Sequence, residues 1–243
     1  MNLQRTFIFI ISLVVGICQK TNAQNQQDTL KDSLVLQDKY GIRVGADLSK
    51  PIKTLLDDNY TGFELIGDYR FLKNFYAAAE IGNEKYHYTE PYLDITSKGS
   101  YAKIGVNYNT YENWLNMQNE IYVGLRYGFA TFSHTLYRYN IYTADNYFGV
   151  DTREVNQDFN DLSAHWAELQ LGLKAELFNN LFLGVHVQIK QRVTATEPDN
   201  FDNLFIPGFN RTYGNSSFGV GWGYSLSYLI PIYKKEHKKK IPD

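Results

Sequence analysis

From Tyr40 onward, apolar and polar positions alternate with a period of two, as in β-strands whose two faces meet different surroundings. The first segment carries Tyr40, Ile42, Val44, Ala46 and Leu48 on one face, and Gly41, Arg43, Gly45 and Asp47 on the other. A second sets Phe63, Leu65, Gly67, Tyr69 and Phe71 against Glu64, Ile66, Asp68 and Arg70. The third and fourth oppose Phe75, Ala77, Ala79 and Ile81 to Tyr76, Glu80 and Glu84, then Ala102, Ile104, Val106 and Tyr108 to Lys103, Gly105 and Asn107. A fifth runs from Glu120 to Phe129. The sixth and seventh, Ala167–Leu177 and Leu181–Arg192, alternate most cleanly, and an eighth places Phe218, Val220, Trp222, Tyr224, Leu226, Tyr228 and Ile230 against glycines and serines.

Alternation of this length with no convincing helical stretch predicts an all-β chain. Eight strands of about ten residues each match the length at which a tilted strand crosses a bilayer. The connections alternate too. Lys73-Asn74 and Asn179-Asn180 read as tight turns and Asn109–Asn116 as an intermediate one, whereas 50–60, 88–98, 139–161 and 197–212 read as long loops. Short turns on one side and long loops on the other predict an antiparallel, eight-stranded, transmembrane up-and-down β-barrel over residues 40–233, with both termini in the periplasm.

A soluble lipocalin-like binding barrel shares the period but fills its interior with apolar side chains. Here the polar face suits an interior. It carries the acids Asp47, Glu64, Asp68, Glu80, Glu84, Glu120, Glu168 and Glu176, and the bases Arg43, Arg70, Lys103, Arg126, Lys174, Lys190 and Arg192, with His186 among them. Eight acids beside seven bases predict a lumen filled by a charge network rather than an open, porin-like channel. Aromatic residues at strand ends, among them Tyr40, Phe71, Phe75, Tyr108 and Phe178, are candidates for interfacial girdles.

The N-terminus reinforces export. Arg5 precedes an apolar run from Phe7 to Ile17, and Asn22-Ala23 supplies the small residue of a cleavage site, so residues 1–23 read as a signal peptide cut after Ala23. Residues 24–39 are polar and Gln-rich and read as a flexible periplasmic lead-in. Residues 234–243 form a basic periplasmic tail after the last strand. The single Cys18 leaves with the signal, since the bulky Ile17 before it disfavours lipidation, and disulfide or thiol chemistry goes with it.

After residue 23 the chain carries 22 Lys and Arg against 26 Asp and Glu, a balance that does not suggest nucleic-acid binding. Its 20 Tyr, 15 Phe and 3 Trp need an apolar or interfacial surrounding, so outer-membrane lipid is the expected partner. The loops and tail leave room for a periplasmic or extracellular protein partner. No cofactor or metal is expected: the five histidines lack metal spacing, and the Gly219-Val220-Gly221-Trp222-Gly223 run sits inside a strand pattern with no helix after it. Candidates for catalysis, in a lipid-modifying barrel enzyme, are His134 beside Ser133 and His165 near Ser163.

The signal-like end at Ala23-Gln24, the Tyr-rich alternating strands, and a last strand reading Ser217–Tyr228 followed by Pro231-Ile232-Tyr233 resemble a family of Bacteroidota outer-membrane β-barrels with no assigned activity. The resemblance spans about residues 35–235 and implies an outer-membrane barrel without functional residues to carry over. It leaves a structural or interaction module as the leading expectation and a narrow solute channel as an alternative. The chain departs from the pattern where a charged tail follows Tyr233, so that Tyr233 or Tyr228 would act as an internal assembly signal.

Overall fold

In the computed structural model, the described residues are 33–113, 117–141, 151–198, 201–213 and 216–240. The signal peptide, its cleavage site and most of the lead-in lie outside them. The eight long strands are β1 (Ser33–Asp47), β2 (Tyr60–Arg70), β3 (Phe75–Glu90), β4 (Leu93–Asn109), β5 (Glu120–Ile141), β6 (Asp151–Phe178), β7 (Leu181–Ala195) and β10 (Phe218–Lys240). A helix α1 (Ser49–Leu56) follows β1, and a two-residue hairpin, β8 (Phe205–Ile206) with β9 (Asn210–Arg211), lies between β7 and β10.

The long strands pair antiparallel in chain order, and β10 closes on β1, giving an eight-stranded up-and-down barrel. The registers place alternating residues on opposite walls. Ile104, Leu125, Leu171, Val187 and Trp222 face outward and exposed, while Arg43, Glu64, Lys103, Glu168 and Lys190 face inward and buried. This inverts a water-soluble barrel, and it assigns the polar face to the lumen and the apolar face to the outside.

Several expectations need correction. The segment at 50–60 is not an irregular loop, because its first part winds into α1. The 88–98 stretch is a continuation of β3 and β4, paired down to Glu90↔Leu93 around a turn at Pro91-Tyr92. Strands exceed the expected ten residues: β5 has 22 and β6 has 28, paired as far as Ile141↔Asp151. Above Phe129, β5 turns Thr131, Ser133 and Thr135 to the side that carried Leu125 below, which interrupts the apolar belt, and Tyr137, Tyr139 and Ile141 are exposed further along the hairpin. From Thr131 to Ile141 it adds about 35 Å of strand at 3.3 Å per residue.

The two end segments also change. Residues 33–39, expected as lead-in, belong to β1, and residues 234–240, expected as a free tail, extend β10. Gln37 donates to Glu236 across this seam at 3.1 Å, so the two strands stay in side-chain contact below the expected barrel. Tyr40 is buried rather than in a girdle: its ring stacks on Tyr233 at 4.9 Å with the Arg70 guanidinium 4.7 Å above its centroid. Phe71, Phe75 and Tyr108 do cluster on the outside, with Phe75 5.0 Å from Tyr108.

Candidate functional site

The lumen is a continuous polar network with a cap above it. At the turn end, Lys39 donates to Glu176, Asn179 and Asn180 at 3.1, 2.8 and 2.8 Å, and Arg70 reaches Gln118 at 3.0 Å and Asp38 at 3.3 Å. One layer higher, Arg43 bridges Asp68 (2.9 Å) and Glu120, Lys174 holds the other Asp68 oxygen at 2.5 Å, and the Phe182 ring lies under the guanidinium at 4.7 Å. At mid-height Glu80 accepts from Arg126 (3.0 Å), Lys103 (2.5 Å) and Gln170 (3.2 Å), and Lys103 also meets Glu64 at 3.2 Å. Gln170 and the Trp166 indole donate to Glu168 at 2.6 and 3.3 Å.

Alternation explains this layout. Residues directly opposite on neighbouring strands share a face, so Glu80↔Lys103, Arg126↔Glu168 and Glu168↔Lys190 come together by register alone. Pairs such as Arg43 with Glu120 instead span the lumen, which at eight strands is narrow enough for side chains to meet. The cavity remaining among Asp68, Asn107, Tyr122 and His186 holds about 20 Å³, room for one water. Asp47 and His186 approach within 3.9 Å. Arg192 is a correction: it sits half-buried at the mouth across from Trp166, and no ion pair of the described residues includes it.

Two connecting segments close the mouth. Lys50 of α1 points down to Glu84, which also accepts the Tyr60 hydroxyl at 2.5 Å and the Gly208 amide at 2.6 Å. Lys190 donates to the Gly208 carbonyl at 2.7 Å, so the β8–β9 turn is held by one acid and one base of the lumen. Gly208 has φ +78°, and a Cβ there would lie 2.6 Å from the Tyr101 ring, so glycine is needed for backbone and for space. Phe205, Ile206 and Phe209 are buried; Ile206 and Phe209 pack with Tyr101, Phe132, Leu162 and Trp166, and the Phe205 ring lies 5.3 Å from that of Tyr86. Trp166 fits because Gly128 faces it, where a Cβ would fall 2.1 Å from the indole. Residues 201–212, within a connection expected as a long loop, therefore form the barrel's lid.

His134 is fully buried and not paired with Ser133. Its Nδ1 lies 2.7 Å from Ser97 Oγ and its Nε2 2.9 Å from Asn203 Oδ1. Asn203 Nδ2 donates to the Thr196 carbonyl at 2.9 Å, which fixes Oδ1 as the atom facing the ring. His134 therefore carries its proton on Nε2, and Ser97 donates to Nδ1. The chain Ser97–His134–Asn203 has the order of a nucleophile, base and orienting group. At 0–2% exposure for all three residues it instead ties the lid to β4 and β5.

His165 lies on the outer wall, 2.8 Å from the Tyr127 hydroxyl and 4.7 Å from the Phe129 ring, away from any described serine nucleophile pairing. Sequence reasoning missed Ser97, Asn203, Lys39 and Lys50. The first pair comes from different strands and loops, and the two lysines lie off the alternating segments. Among the described residues, no group of three His, Cys, Asp or Glu side chains is placed to hold a metal ion, and no helix is long and apolar enough to cross a membrane.

An apolar outer belt, an ion-paired interior and a folded lid define a closed eight-stranded β-barrel of the outward-apolar class. The chain belongs to the family described as Domain of unknown function (DUF6048), whose model matches residues 4–235. Comparison with curated proteins gives no match. Among solved structures, the chain is similar to Ail, the attachment invasion locus protein of Yersinia pestis, at 11% identity and TM-score 0.37, over 81% of this chain and 98% of that one. It is also similar to Neisserial surface protein A, at 11% identity and TM-score 0.38, over 80% and 95%.

Proposed function

We propose that the protein is an outer-membrane β-barrel that serves as a sealed anchor for an interaction surface, and not as a pore. The observation that carries this reading is the combination of an exposed apolar belt with a lumen filled by ion pairs and lidded by α1 and β8–β9. Burying more than a dozen charged side chains while exposing Ile104, Leu125 and Trp222 would be strongly unfavourable in water; in a bilayer the same arrangement is the stable one. The ends with short turns and both termini then face the periplasm. The β5–β6 and β3–β4 hairpins then present their exposed ends, with Tyr92, Tyr137 and Tyr139 among them, to a protein outside.

Two measurements on detergent-extracted outer membranes and reconstituted protein test it. Unboiled samples are expected to run anomalously on gels until heated, and planar bilayers are expected to stay silent. A water-soluble protein of heat-independent mobility overturns the membrane assignment, whereas stepwise conductance overturns the sealed lumen and favours a narrow solute channel.

A further inference from the structure

The barrel wall has a notch. β1 ends at Asp47, and Leu48 makes its backbone bond to Tyr224, so β10 continues above that level from Gly223 to Phe218 without β1 beside it. On the other side of the gap β2 likewise continues above Ala46↔Leu65 up to Tyr60. α1 lies across this gap, pinned by Lys50 to Glu84 and by Thr54, whose hydroxyl accepts the Gly62 amide at 2.9 Å.

Between α1 and the strands remains a cleft of about 550 Å³. Its floor is aromatic, with Tyr60, Tyr86, Tyr88 and Phe205, and its outer side is formed by Val220 and Trp222, which are 76% and 64% exposed on the lipid-facing wall. The cleft is therefore continuous with the belt. Its polar side carries Lys53, 4.0 and 5.0 Å above the Tyr60 and Tyr86 rings, and Arg211, 5.4 Å from the Tyr88 ring. Lys50 is neutralised by Glu84, but the ion pairs of the described residues include neither Lys53 nor Arg211. Both side chains are exposed at the cleft rim; partial burial, with Lys50 alongside, lowers the Lys53 pKa, and Glu84 and Asp57 offset this only in part. Two such cations thus face one aromatic cleft with no carboxylate of the described residues in salt-bridge contact.

We propose that this notch is a lateral binding site for a phosphate-bearing, acylated lipid of the surrounding leaflet. Lys53 and Arg211 take the phosphate, and an acyl chain leaves past Trp222 and Val220 into the bilayer. Charge complementarity selects the anionic head, and the opening of the cleft onto the belt selects a membrane-borne molecule over a free anion. The inference rests on the membrane reading given above.

The test is native mass spectrometry of the full chain in zwitterionic detergent, titrated with short-chain phosphatidic acid, short-chain phosphatidylcholine and glycerol phosphate. One phosphatidic acid per barrel is expected, with phosphatidylcholine and glycerol phosphate each at least about tenfold weaker. Lys53→Gln with Arg211→Gln is expected to weaken phosphatidic acid about tenfold or more, the loss of a charge-assisted contact. Trp222→Ala separately should weaken only the acylated ligand. Equal binding of the zwitterionic lipid, equal binding of glycerol phosphate, or binding unchanged in the double variant each overturns the proposal. Heat-dependent gel mobility of every sample separates the two readings: a folded, heat-modifiable barrel that binds no lipid removes the site alone, and absence of that mobility in the wild type removes the membrane reading.

Discussion

Below Tyr101 the lumen is filled by charged side chains that the strands themselves supply; above it, by aromatic rings, aliphatic side chains and a segment of chain folded in from outside the wall. Arg43, Asp68, Glu80, Lys103 and Arg126 make up the lower part, and Trp166, Phe132, Ile206 and Phe209 the upper. The contrast follows from what each region must satisfy. Buried charges are stable only where every member is paired, since desolvation costs several kcal/mol per ion, so the lower network depends on register. The lid gains from apolar burial, which tolerates imperfect registry but not an empty volume.

The largest effect is expected where the lower network loses one member. Lys103→Met leaves Glu64 and Glu80 facing each other across a buried gap and should cost about 3–5 kcal/mol. Urea unfolding of protein refolded into lipid vesicles, followed by gel mobility, measures it. Adding Glu64→Gln should restore a large part, because the uncompensated carboxylate is then gone; a double variant as unstable as the single would show that the loss lies in packing and not in charge.

Next comes the lid. Phe209→Ala removes a ring packed 6.0 Å from Trp166 and should cost about 3 kcal/mol in the same assay. Its more telling readout is conductance in planar bilayers. The ion pairs beneath the lid block the lumen independently, so the variant is expected to remain silent. Current through it would mean that the lid alone seals the barrel and that the charged layer is permeable.

The two regions also differ in how far the sequence discloses them. Arg43, Glu80, Lys103 and Glu168 could be assigned to one interior face from a period of two, because a strand's geometry converts spacing directly into side. The lid could not. Nothing in the spacing of Phe205, Ile206, Gly208 and Phe209 tells that a polar, acidic-looking connection turns back into the mouth. Its position is set by contacts to Glu84 and Lys190, far away in the chain. α1 escaped for a related reason: one short helix in a loop carries too few turns for a periodic signal. The long β5–β6 hairpin was cut short because, just beyond Phe129, Thr131, Ser133 and Thr135 interrupt the apolar alternation while backbone pairing continues.

A smaller effect tests the link between lid and wall. Ser97→Ala removes one hydrogen bond to His134 and leaves Nδ1 buried without a donor, at a cost of about 1–2 kcal/mol, whereas Ser133→Ala, whose neighbour His134 faces the other way, should fall within about 0.5 kcal/mol. The comparison separates the sequence pair from the spatial one. Equal effects of the two serines would mean that the Ser97–His134–Asn203 chain does not hold the lid.

The smallest effect is expected outside the belt, on the β5–β6 hairpin. Arg153 meets Asp151 at 2.9 Å, but the side chains are 57% and 45% exposed, so water competes for both groups and the pair contributes little. Arg153→Ala should shift the unfolding midpoint by an amount equivalent to no more than about 0.5 kcal/mol. The same charge chemistry that makes Lys103 indispensable in the lumen is thus nearly neutral on the hairpin, and the surrounding medium accounts for the difference. A loss from Arg153→Ala approaching that from Lys103→Met would mean that the hairpin is desolvated, as it would be if a second protein or another copy of the barrel were already packed against it.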